Sequence, residues 1–183
     1  MKTKLLSLVV GLQVLWVIGT VILQEAKLSQ GTVVRLETRP VDPRDLLRGD
    51  YVILNYELST LDAKLFTDGL TNRPPAGTPV FVKLERQGEF HRAIEAAFTE
   101  LPADADHPVL RGKSETSWSW SSASPDHLRV EYGLERFYVR EGTGNPRGKL
   151  TVDVAIPSSG QGIIREVYLD GVKYAEAMKK QSP

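Results

Sequence analysis

The chain has 183 residues, with 23 basic against 23 acidic side chains, 15 Gly, 11 Pro and no Cys. That length suits one ordinary domain with an appendage, and the ordinary aromatic and charged fractions exclude wholesale disorder. The missing thiol excludes disulfide frameworks, cysteine nucleophiles and cysteine-ligated zinc or iron–sulfur centres, and the balanced charge argues against a nucleic-acid partner.

In chain order, Met1-Lys2-Thr3-Lys4 leads into Leu5–Leu23, a stretch without a single charge. A helix over those nineteen positions would be ~28 Å long, near the hydrocarbon thickness of a bilayer. The stretch exceeds the ~7–15 apolar residues of a cleaved signal, and no small-x-small site follows in Gln24-Glu25-Ala26-Lys27. The expectation is therefore a single transmembrane signal anchor over 5–23, with residues 1–4 cytoplasmic and 24–183 outside. Lys2 and Lys4 set that orientation. Ser7, Gly11 and Gly19 fall at multiples of four and share a helix face, where small side chains let another helix approach closely. Such residues are also simply common in membrane spans.

The remainder reads as mostly β. Thr32–Glu37 alternates, and Tyr51–Tyr56 is a dense run of β-formers entered through Gly49-Asp50. Val80–Leu84 and Phe90–Phe98 flank a hairpin loop at Arg86-Gln87-Gly88-Glu89. Ser117–Ser121 places Trp118 and Trp120 on one face. Leu128–Tyr132 and Glu135–Arg140 read as two strands, or as one bent at Gly133, and strands are also predicted over Leu150–Ile156 and Ile163–Leu169, then a tight turn at Asp170-Gly171 into Val172–Tyr174. Helical signals are short: a capped turn at Asp42-Pro43, a turn or two over Thr60–Phe66, and a terminal helix over Ala175–Lys180. The predicted fold is thus a transmembrane helix followed by an antiparallel β barrel or sandwich with a few short helices.

The segment Gly49-Asp50-Tyr51-Val52-Ile53-Leu54-Asn55-Tyr56 reads G-D-Y-x-x-L-x-Y. It resembles the motif of the GDYXXLXY family of bacterial membrane-anchored proteins, as does its approach Val41–Leu47. The later stretch Tyr132-Gly133-Leu134-Glu135-Arg136-Phe137-Tyr138-Val139-Arg140-Glu141-Gly142-Thr143-Gly144 also resembles that family. Together with the orientation of the anchor, the resemblance to a bacterial family leads to the expectation of an inner-membrane location with a periplasmic or extracellular domain. It also implies multi-pass membrane proteins as companions, and it assigns no biochemical role.

From the residues themselves, Gly49 suits a strand entry and Asp50 can accept from nearby backbone N–H groups. Val52, Leu54 and Tyr56 should share one face of a central strand, with Tyr51, Ile53 and Asn55 on the other. The passage Asp42–Asp50 also has the cadence of the signal-peptidase-like β fold, but Val41 or Pro40 stands where the nucleophilic serine belongs. A catalytically dead relative of that fold is the reading left open. His91, His107 and His127 are widely spaced, and Asp104-Ala105-Asp106-His107 lacks the glycine and glutamate of a calcium loop. Gly142-Thr143-Gly144 reads as a hairpin turn. Glu135 and Glu141, six positions apart on a strand, would stand ~20 Å apart, too far for a glycosidase pair. No catalytic residue, cofactor or metal site is assigned. Two functions stand against each other: a non-catalytic interaction domain beside a multi-pass membrane protein, and an envelope-acting enzyme with carboxylates from 42–50 and 135–141.

Overall fold

A computed structural model describes residues 2–39, 51–67, 69–70, 74–115, 126–139 and 148–181. The N-terminal run forms helix α1 (Lys2–Gln30), a sequence free of Pro and rich in Leu. Its role as a membrane span is corrected: among the described residues, no helix is long and apolar enough to cross a membrane. Gly11, Gln13, Gly19 and Thr20 dilute the apolar character within that run.

The rest is mostly β, as expected. The strands are β1 (Thr32–Arg39), β2 (Tyr51–Ile53), β3 (Asn55–Tyr56), β4 (Thr60–Asp62), β5 (Pro79–Gln87) and β6 (Phe90–Ala97). They continue with β7 (Val109–Ser114), β8 (His127–Glu131), β9 (Arg136–Tyr138), β10 (Leu150–Ile156), β11 (Ile163–Leu169) and β12 (Val172–Lys173), before helix α2 (Tyr174–Gln181). One five-stranded sheet has the order β12-β11-β10-β1-β3, the other β4-β8-β7-β5-β6, and β2 pairs with β9 as a separate ribbon. Every pairing between these strands is antiparallel.

Period-two patterning decides which face is buried. Val34 and Leu36 of β1, Val152 and Val154 of β10, and Val80, Val82 and Leu84 of β5 are all fully enclosed. They belong to one cluster fed by both sheets, which makes the architecture a two-sheet sandwich around a single core. β1 and β6 run close together where the sheets meet, without forming a ladder.

Two local expectations are corrected. Tyr51–Tyr56 is not one central strand: Leu54 N–H donates to the Glu135 carbonyl at 2.8 Å, and the chain changes partners there, from β9 to β1. Ile53 is accordingly exposed rather than covered. Thr60–Phe66 begins as strand β4 and only then makes one 3-10 turn, Ala63–Leu65, capped by the Asp62 carboxylate accepting from Lys64 N–H. Trp118, Trp120, the Asp42-Pro43 turn, Gly49, Asp50, Glu141 and Gly142-Thr143-Gly144 lie outside the described residues.

Candidate functional site

The two motif segments, some eighty positions apart in sequence, are paired in space. β2 and β9 align Tyr51 with Tyr138, Val52 with Phe137 and Ile53 with Arg136. Val52 and Phe137 face inward, and the Phe137 ring meets Tyr174 of α2 edge-on at 5.4 Å.

Just past the ribbon the segments exchange reciprocal hydrogen bonds. Tyr56 Oη donates to the Leu134 carbonyl at 2.9 Å, and Tyr132 Oη donates to the Leu58 carbonyl at 2.8 Å. Both rings are fully buried, at 1% and 2% exposure. Burial, with the Glu135 charge adding to it, raises both phenols well above their ordinary range, so they serve as fixed donors and not as acids. Glu135 is also engaged: its Oε1 accepts from Tyr132 N–H at 2.6 Å, tying the ends of a turn in which Gly133 takes φ +77°. Gly112 of β7 leaves the room Tyr132 needs. A Cβ there would stand 2.9 Å from Tyr132 Cδ1 and 2.4 Å from Val130 Cγ1.

What the ribbon leaves outside is aromatic. Tyr138 is 74% exposed and Ile53 42%, and the Tyr51 and Tyr138 rings sit 6.2 Å apart. The Arg136 guanidinium lies 5.7 Å from the Tyr51 ring centre. Leu54, by contrast, is buried.

A second constellation joins the two sheets. Arg92 of β6 bonds Glu37 of β1 at 3.1 Å and also Glu57, while Lys149 reaches Glu37 at 2.5 Å. These groups line a cleft of about 560 Å³, and next to it Glu37, Glu57, Asp62, His91 and Arg92 line another of about 230 Å³. The Lys149 bond holds the Glu37 carboxyl below its usual range. That keeps it ionised, the opposite of what a general acid requires. Higher on β1, Arg35 grips Asp153 of β10 through two bonds of 2.7 and 3.0 Å. Burial works to raise the Asp153 pKa, but the Arg35 bonds override it and hold the carboxyl low.

Along α1, a Cβ at Gly11 or Gly19 would meet nothing within 4 Å, so that face is open at both positions. The Ser7 side chain lies outside the described residues. Asp104 is occupied within its own loop, accepting from the Asp106 and His107 amides at 3.0 and 2.7 Å.

The charged seam was invisible in the sequence because its members come from β1, the 3-10 turn Glu57–Ser59, β6 and the approach to β10. Only strand register joins them. A family model described as GDYXXLXY protein matches residues 13–167. No curated protein and no solved structure matches.

Proposed function

The chain belongs to the GDYXXLXY family, and from that premise we propose that it is a non-catalytic interaction module. Its partner is a multi-pass membrane protein, and its place is the outer side of the bacterial inner membrane. The observation that carries this reading is how the motif groups divide. Among the described residues, the hydroxyls of Tyr56 and Tyr132 and Oε1 of Glu135 are engaged in internal bonds rather than presented outward. Tyr51, Tyr138, Ile53 and Arg136 remain on the surface, and Tyr and Arg are the residue types that anchor protein interfaces.

Helix α1 supports the same reading. Leu8, Leu12, Leu15, Trp16, Val17 and Ile22 are all well exposed, and a helix this apolar on every side calls for cover. In this proposal the partner supplies that cover, with Gly11 and Gly19 admitting the closest approach.

The test is affinity purification of the full chain from detergent-solubilised membranes. The native chain should recover a multi-pass protein, and Tyr51→Ala with Tyr138→Ala should lose it while melting within about 2 °C of the parent. Gly11→Leu should weaken recovery, and Leu12→Ile should not. Recovery unchanged in the double alanine variant would remove the ribbon from the interface.

A further inference from the structure

The junction between β1 and β6 is built differently from the other strand contacts. Along Thr32–Glu37 one edge of β1 is laddered to β10. On the opposite edge, where a closed barrel would continue the ladder into β6, the Arg35 N–H instead donates to His91 Nδ1 at 3.2 Å. A side-chain nitrogen thus stands in for a strand carbonyl.

That substitution has a chemical consequence. A backbone N–H can only donate, so Nδ1 must present its lone pair, and the imidazole must be the neutral tautomer with its proton on Nε2. A carbonyl accepts at any pH in the physiological range. An imidazole stops accepting once protonated, and its N–H would then point at the Arg35 N–H.

We propose that the β1–β6 seam is a proton-gated closure: protonation of His91 breaks its bond to the Arg35 amide and loosens the contact between the two sheets.

The charges around His91 come from every neighbouring element. β1 contributes Arg35, Glu37 and Arg39, β5 contributes the cross-strand partner Arg86, and β6 contributes Arg92. Asp153 of β10 acts from beyond Arg35, and Glu57 and Asp62 complete the cleft that His91 lines. Burial disfavours the imidazolium most, and Arg86 adds to that, while Asp153 acts the other way. The net result is a pKa below the ordinary 6.5. The folded chain therefore takes this proton less readily than the unfolded one. The stability of the seam is full above pH 6.5 and declines as pH falls from there toward the folded-state pKa.

The neighbouring bonds confine the effect. Arg92 still bridges Glu37 and Glu57, and Arg35 still holds Asp153, because the Glu37 and Asp153 carboxyls are held below their usual range and keep their charge. The sheets stay tethered at the cleft and loosen along the β1 edge beside it.

The experiment is amide exchange and ring titration by NMR on the full chain. Between about pH 7.5 and about pH 5, after correction for intrinsic exchange, Arg35 amide protection should fall about tenfold. The fall should track the His91 ring resonances. His91→Gln, whose side-chain carbonyl accepts but does not titrate, should hold Arg35 protection flat over the same range. His107→Gln with His127→Gln should leave the response intact. The proposal is overturned if Arg35 protection does not change while the His91 ring titrates, or if His91→Gln shows the same fall. If His91→Gln does not fold, the native chain decides alone: an Arg35 amide shift that fails to follow the His91 ring refutes the gate.

Discussion

The reciprocal tyrosine bonds make a sharp prediction, because each can be removed by deleting one oxygen. Tyr132→Phe leaves the ring and its packing in place and takes away only the donor to the Leu58 carbonyl. That carbonyl sits on a buried residue and Tyr132 itself is fully enclosed, so water cannot readily replace the lost partner. A neutral hydrogen bond contributes ~1 kcal/mol net, and orphaning a buried polar group costs ~1–3 kcal/mol, so a loss of about 2 kcal/mol is expected. In a domain of this size that corresponds to a melting temperature lower by roughly 4–8 °C. Tyr56→Phe removes the bond to the Leu134 carbonyl and should cost a similar amount. Both bonds hold the same two segments together, so the double variant should lose less than the sum, with a coupling of about 0.5–1 kcal/mol. Urea unfolding of all four proteins, followed by tyrosine and tryptophan fluorescence, measures the cycle. Single variants within ~0.5 kcal/mol of the parent would show that the two hydroxyls are not what clamps the segments together.

Two further substitutions probe the same region. Glu135→Gln keeps an acceptor for Tyr132 N–H but removes its charge, so it should cost ~0.5–1.5 kcal/mol in denaturant unfolding, and Glu135→Ala should cost more. Gly112→Ala places a methyl 2.4 Å from Val130 Cγ1 and 3.0 Å from the Glu131 carbonyl. With backbone on one side the strain cannot be relieved by a side chain alone, so the loss should reach about 1–3 kcal/mol, and a variant as stable as the parent would contradict the close packing seen there.

How much of this was legible depended on whether the signal was local. β10 and β11 fall where the sequence placed them, Leu150–Ile156 and Ile163–Leu169, because β-branched alternation is bracketed by Pro and Gly. The turn between β11 and β12 also follows from its residues: Asp170 and Gly171 take φ +50° and +80°, the pair of left-handed conformations that Asp-Gly favours. β7 went unread because Gly112 and Lys113 interrupt its β-forming residues, and the need for Gly112 appears only when Tyr132 is packed against it. The split of Tyr51–Tyr56 was equally hidden. Nothing in a continuous apolar run announces that Leu54 will bond Glu135 and hand the chain from one partner strand to another. The helix at the N-terminus was read correctly as a helix and over-read as a span, since absence of charge was weighted above Gln13, Thr20 and the two glycines.

The motif itself shows where a purely structural account stops. Leu54 and Tyr56 are explained by the fold alone, one enclosed in the core and the other both enclosed and hydrogen-bonded to the opposite segment. Tyr51 is not. Its side chain points away from the core, it makes a cross-strand pair with a highly exposed Tyr138, and its ring is faced by a surface arginine. A three-residue ribbon strand would accept Val or Thr there with little change in stability, since β-propensities differ by only ~1 kcal/mol across the whole scale. An aromatic ring at that position therefore contributes contact area to the outside more than stability to the inside. If Tyr51→Thr proves nearly neutral in denaturant unfolding while abolishing partner recovery, stability and recognition are separated within a single motif, with Tyr56 serving the first and Tyr51 the second.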